Sequence, residues 1–200
     1  MDVVDDERVR RIAHRRGSAE LSEAAPDTLR RAASIHPITA LQTEWSLWAR
    51  QIEDQIVPVC QELGISVVPY SPLGRGALTG GLTSRSQLTE DDARHSMPWF
   101  SEENFDRNLA VVELLRRIGA EHDATPGQVA LAWLLAKSPD IVPIPGTRRL
   151  AFFEENTRAA ELTLTAEQIA ELNSITVIGE RERESAMQAR NWTDGVTPPR

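Results

Sequence analysis

Three short, continuously apolar runs, at residues 38–42, 65–70 and 141–144, alternate with stretches of helical spacing. Short apolar runs without polar alternation are the mark of strands covered on both faces, and strands separated by helices are joined by crossovers that make them parallel. The expected class is therefore α/β, with parallel strands and outer helices. Punctuation places the helices. Pro26 suits the first turn of a helix over 26–34, and a helix over 53–63 stops at Gly64, a residue favoured just past a helix end. Over 101–121 the residues Phe105, Leu109, Val112 and Leu115 share one face, with Ser101 as N-cap. Thr125 with Gln128, and Thr165 with Gln168, have capping-box spacing and mark two further helix starts. Trp133 and Leu134, inside the first of these, are read as core.

Composition removes several classes of function. A net charge of −8 opposes non-specific binding to nucleic acid, and it argues against reading 125–136 as part of a DNA-reading helix pair. Cys60 is the single cysteine, so there is no internal disulfide and no thiolate metal cluster; a buried helix thiol is its expected role. No apolar run reaches the ~20 residues that span a bilayer, and residues 1–6 are acidic where a signal peptide is basic. A cytoplasmic protein with no membrane, nucleic-acid or metal partner is expected.

Two loops attract attention. The strand 65–70 opens into Ser71-Pro72-Leu73-Gly74-Arg75-Gly76, where Gly74 and Gly76 allow a backbone to approach a phosphate and Ser71 can donate a hydroxyl hydrogen bond. The strand 141–144 opens into Gly146-Thr147-Arg148-Arg149, then a helical segment with Glu155 and Asn156, which could meet an adenine edge. Loops after parallel strands collect at one sheet edge, so the pair reads as a nucleotide clamp; taken singly, each is also a simple glycine turn or a solvated helix cap. Tyr70, the only tyrosine, offers either a stacking face or a core ring. Residues 78–101 form an irregular loop of the kind that covers a site. His36, His95 and His122 have no placed carboxylate partner and are read as surface residues. Residues 1–20 are poorly readable, although 8–12 hint at a strand, and 176–200 form a polar tail that orders only if something holds it.

The runs LQTEWSLW (41–48), VVPYSPLGRGALTG (67–80), TPGQVALAWLLA (125–136), IPGTRRL (144–150) and EEN (154–156) together resemble the C-terminal half of an aldo-keto reductase of bacterial type. The resemblance spans Leu21 to Ile175. It implies a (β/α)₈ barrel that binds NADP(H) across the carboxyl ends of its strands and reduces small carbonyl compounds by hydride transfer. By this resemblance Ser22 and Gln42 hold the nicotinamide carboxamide and Tyr70 stacks on the nicotinamide. Ser71, Leu73 and Gly76 belong to the pyrophosphate loop. Gly146, Thr147 and Arg148, with Arg149 assisting, meet the 2′-phosphate, and Glu155 and Asn156 meet adenine. Two positions depart from the family: Glu23 stands where many members have asparagine, and Phe152 where many have arginine.

The family's Asp, Tyr, Lys and His set lies on its first four strands, which have no counterpart here. A full barrel takes about 250 residues, so the expectation is a partial barrel of roughly the last four βα units at 21–175. Such a chain exposes strand edges and an apolar layer, which points to self-association or to a complementing chain. The functional expectation is an NADP(H)-binding aldo-keto reductase relative with little turnover of its own. The alternative is a noncatalytic nucleotide-binding or interaction module that pairs with a partner supplying the other half.

Overall fold

The computed structural model describes residues 19–179. Most of the 1–20 segment, including the strand hinted at 8–12, and the tail from residue 180 onward lie outside the described residues. Three parallel strands, β1 (Ala19–Ser22), β2 (Ile38–Glu44) and β3 (Ser66–Tyr70), pair in the order β1-β2-β3. Among the described residues seven α-helices follow or separate them: α1 (Pro26–Ile35), α2 (Ile56–Leu63), α3 (Phe105–Asn108), α4 (Ala110–Glu121), α5 (Pro126–Lys137), α6 (Leu150–Arg158) and α7 (Ala166–Asn173).

Register organises the sheet. Leu21 pairs with Leu41, Leu41 with Val67, and Val67 bridges to Ile141, so one row of apolar side chains crosses from strand to strand. That row belongs to the core, with Leu29 of α1, Val59 and Cys60 of α2, and Trp133 and Leu134 of α5. Each fully buried aliphatic side chain there contributes about 1.5–3 kcal/mol. One residue further on, Ser22, Gln42 and Val68 form the next row, and successive residues of a strand point to opposite faces. Ser22 is exposed and Gln42 and Val68 are only half-buried. The strands are thus covered on one face by helices and partly open on the other, rather than covered on both as their apolar runs imply.

The third expected strand, 141–144, which would be the fourth in the sheet, is reduced to a single bridge. Val67 N–H donates to the Asp140 carbonyl (3.0 Å), Val142 N–H to the Val67 carbonyl (2.9 Å) and Ile144 N–H to the Pro69 carbonyl (3.0 Å). The next step needs an N–H from residue 69, and proline has none. The segment therefore runs parallel beside β3 without a continuous ladder. β1 itself lies partly inside the region that resists reading by sequence, because four residues with a register shift after Ala19 leave too little pattern to detect.

Helix boundaries follow local chemistry. The helix expected over 53–63 starts three residues later, at Ile56, after a turn. Gly64 ends it in the left-handed region (φ 65°), as expected of a residue past a helix. The helix expected over 101–121 is broken at Leu109 into α3 and α4, and Ser101 caps only a preceding turn by accepting from Asn104 N–H (3.3 Å). Both capping boxes form, at the starts of α5 and α7. Cys60 is fully buried, and burial pushes its thiol up to about 12, which makes it an inert core group.

Residues 78–101 are more ordered than an irregular loop. They run through short 3₁₀ turns anchored by buried Trp99 and Phe100, which pack with Trp48 and Phe105 at ring-centroid distances of 5.4–6.5 Å. Trp99 Nε1 donates to the Gly179 carbonyl, and Asn108 bonds Ile178 at both its N–H and its carbonyl, so the chain just before residue 180 is held. Among the described residues no helix is long and apolar enough to cross a membrane.

One glycine is demanded by close approach. A Cβ on Gly119 of α4 would lie 2.4 Å from the Ala124 carbonyl oxygen. Alanine ordinarily stabilises a helix interior by about 1 kcal/mol over glycine. Here the sign reverses: Gly119→Ala is expected to destabilise the fold by about 2 kcal/mol, read as a lower urea midpoint at unchanged slope.

Candidate functional site

The carboxyl ends of the strands open onto a cavity of about 660 Å³. Eight of the residues singled out by sequence line it: Tyr70, Ser71, Leu73 and Gly76 on one side, and Gly146, Thr147, Glu155 and Asn156 on the other. The two loops therefore border one cavity, although they are some 70 residues apart. Ser22 and Gln42 lie beyond the cavity on the open face of the sheet, where Gln42 Nε2 makes a long contact to Glu20 Oε1 (3.4 Å). Arg148 is exposed and does not line the cavity. Arg149 stacks on the Phe152 ring, 5.4 Å from guanidinium carbon to centroid, and Phe152 itself is at the cavity wall.

Each wall has a local cause. Between Ser71 and Gly76 four residues take the left-handed region, at φ 48° for Ser71, 57° for Gly74, 54° for Arg75 and 93° for Gly76. Gly74 N–H donates back to the Ser71 carbonyl (2.9 Å) and Gly76 N–H to the Leu73 carbonyl (3.1 Å), which closes the loop into a cup. Arg75 Nη2 reaches Glu44 Oε2 at 2.8 Å, and Glu44, the last residue of β2, is only 1% exposed. Tyr70 donates its hydroxyl to the Glu23 carboxylate, which holds the ring at the end of β3.

The start of α5 also faces the cavity, through Thr125 and Pro126. Its backbone N–H groups and dipole favour negative charge nearby. Sequence reasoning found this helix start through its capping box but did not connect it with the site. The connection is made by Glu155: its Oε1 accepts from Thr125 Oγ1 (2.8 Å), and its carbonyl accepts from Gln128 Nε2 (2.9 Å). The residue expected to meet adenine thus also ties α6 to the head of α5. Arg75 and Glu44 were missed as a pair; the available signal was an acidic residue closing an apolar strand and a lone arginine between two loop glycines.

The start of the 78–101 segment, Thr79 and Gly81, lines the cavity, and its later part braces the cup from behind. Asp92 accepts from Arg94 Nε (2.9 Å) and Nη2 (2.7 Å), and Arg94 Nη1 donates to the Arg75 carbonyl (3.0 Å). The Arg94 side-chain bonds, then its backbone N–H, lower Asp92 from 3.8 to about 2. The three histidines among the described residues stand apart from the cavity. His36 is exposed, His95 Nε2 meets the Thr89 carbonyl (2.9 Å), and His122 Nε2 meets Gln168 Oε1 (3.0 Å). Lys137, the only lysine, ends α5, where its Nζ bonds Asn173 Oδ1 (2.8 Å) and lies over the Trp133 ring. Burial lowers its pKa, and the nearby Glu53 charge offsets part of that shift.

Residues 17–177 match the family model described as Aldo/keto reductase family. The chain belongs to the aldo/keto reductase family. It is 43% identical over 183 residues to the probable aldo-keto reductase 1 of Glycine max, covering 90% of this chain and 53% of that protein. It is 46% identical over 158 residues to an aldo-keto reductase of Strobilurus tenacellus, covering 78% of this chain and 47% of that one. The chain spans about half the length of these curated relatives. Among solved structures, a thermostable aldo-keto reductase crystallised with the inhibitor epalrestat superposes with a TM-score of 0.59 at 29% identity, covering 78% of this chain and 47% of its own. A glycerol dehydrogenase of Gluconobacter oxydans superposes with a TM-score of 0.73 over 100% of this chain and 58% of its own; at 21% identity that likeness concerns the fold alone. The parallel strands and outer helices are thus similar to those of aldo/keto reductase barrels.

The Asp92 clamp has a testable pH signature. Because its folded pKa is depressed, its contribution to stability is full above the unfolded value of 3.8 and is lost as pH falls through about 2. A ¹³C NMR titration of the Asp92 carboxyl is expected to show a midpoint near 2. Asp92→Asn should loosen the loop and speed proteolytic cleavage within 78–101.

Proposed function

We propose that this chain corresponds to the C-terminal half of an aldo/keto reductase barrel, roughly four βα units over 21–175, and that its cavity binds NADP(H). The observation that carries the reading is the convergence of the Ser71–Gly76 cup, the Gly146–Thr147 loop and the head of α5 on one cavity. Backbone N–H groups and hydroxyls there suit a pyrophosphate, and Asn156 with Glu155 suits an adenine edge. Arg148 and Arg149, at the rim, suit a 2′-phosphate. Ser22 and Gln42, on the open sheet face beyond Tyr70, suit the nicotinamide end. When bound, the dinucleotide supplies a hydride; the residues of this chain bind and orient it.

The same reading assigns the chain little turnover on a carbonyl substrate. A general-acid tyrosine needs a neighbouring cation to lower its pKa. The only tyrosine donates to Glu23 and the only lysine bonds Asn173, so the two do not serve each other. A second reading, a noncatalytic nucleotide-binding module completed by another chain or by a second copy, is favoured by the partly open row of Ser22, Gln42 and Val68. A cytoplasmic location fits either.

Titration of the purified chain with NADPH and NADH, followed by tryptophan quenching, tests the proposal. Saturable binding that favours NADPH is expected, with Arg148→Glu weakening NADPH by about ten-fold and NADH little. No quenching by either dinucleotide would remove the cofactor reading. NADPH-dependent reduction of a simple aldehyde would remove the assignment of low turnover.

A further inference from the structure

In the turn at Ser71–Gly76 two residues with a Cβ, Ser71 and Arg75, take the left-handed region, and such conformations persist only where the surroundings over-determine them. Arg75 is held at both ends. Its guanidinium meets Glu44 at 2.8 Å, and its carbonyl accepts from Arg94 Nη1 at 3.0 Å, with Arg94 itself gripped by Asp92. Glu44 is buried, and in the β2–β3 register it lies opposite Tyr70, whose ring lines the cavity. A carboxylate this close to an anion site would repel the anion unless its charge were cancelled. Arg75 cancels it at a cost: its own Nε is buried with no hydrogen-bond partner. The side chain is placed to meet Glu44, not to satisfy all its donors.

We infer that Arg75 is a positioning residue: its salt bridge to Glu44 fixes the turn of the cavity loop and neutralises the buried carboxylate beside it, and Arg75 is not itself a phosphate ligand. This rests on reading the cavity as the dinucleotide site. The two functions separate experimentally. The amides of Gly74, Gly76 and Leu78 donate to carbonyls within the loop, so their hydrogen exchange reports its shape in the free protein. Dinucleotide affinity reports the charge.

Three variants are compared with the parent: Arg75→Met, Glu44→Gln and the double variant, each checked for folding by circular dichroism. The double variant removes both charges together, so it remains informative if Arg75→Met fails to fold. Exchange of the three amides is expected to rise at least ten-fold in each folded variant that lacks the Arg75 guanidinium; in Glu44→Gln a carboxamide oxygen still accepts from it, and a smaller rise is expected. NADPH affinity should fall ten-fold or more in Arg75→Met and recover at least three-fold in the double variant, where no carboxylate charge remains. Unchanged amide exchange in the folded double variant would overturn the tether. Equal NADPH affinity in Arg75→Met and the double variant would show Arg75 to be a direct phosphate ligand and overturn the charge role. If the parent chain binds no dinucleotide, the cofactor reading fails while the exchange comparison still decides the tether.

Discussion

Parallel pairing in one register is the constraint on which everything else hangs. Once Leu21, Leu41, Val67 and Ile141 stand in one row, strand parity leaves no choice about the rest. That row must face the helices, because it is the apolar one. The adjacent row of Ser22, Gln42 and Val68 must face the other way, and Glu44 must come level with Tyr70. A slip of one residue would bury Gln42 among the helices and turn Leu41 outward, so the register is held by the hydrophobic effect itself. The position of every site residue at the strand ends follows from it.

Proline gives this sheet its asymmetry. Pro69 sits inside β3, where a missing N–H is harmful only on the side that needs a donor. Its carbonyl still accepts from Ile144, but it offers nothing to Val142, so the pairing beyond Val67 becomes intermittent. The loop that follows is anchored by other means. Thr147 Oγ1 accepts from Arg149 N–H (3.1 Å), and Glu155 clasps Thr125 and Gln128. A capping box and one carboxylate thus do the orienting that a fourth continuous strand would otherwise do, and they do it from the side of the cavity.

Loop and core are also joined through aromatic packing. Trp48 meets Trp99, Phe100 and Phe105, and a Cβ on Gly74 would lie 3.7 Å from Trp48. The cup at 71–76 therefore rests on the cluster that anchors the 78–101 loop. Arg94 adds a polar strand to the same link by bonding the Arg75 carbonyl while lying over Phe100. Cup, loop and cluster form one connected assembly, although they come from three separated stretches of chain.

The helix starts at Pro26, Thr125 and Thr165, the stop at Gly64, the strands β2 and β3 and the two loops of the clamp were all legible, because each is written in local chemistry: caps, glycine positions and apolar runs. Eight of the eleven residues expected in the site line the cavity for the same reason, since a loop after a parallel strand can open only at the sheet's carboxyl edge. Other features had no local signature. β1 is too short to show a period, the break at Leu109 sits in an unbroken helical pattern, and the loss of the fourth strand depends on which side of β3 the Pro69 nitrogen faces. The Glu44–Arg75 and Tyr70–Glu23 pairs join residues 31 and 47 positions apart. Local sequence determined the elements and their ends; the tertiary structure decided which charges meet, because an ion pair is set by distance in space and the sequence records only distance along the chain.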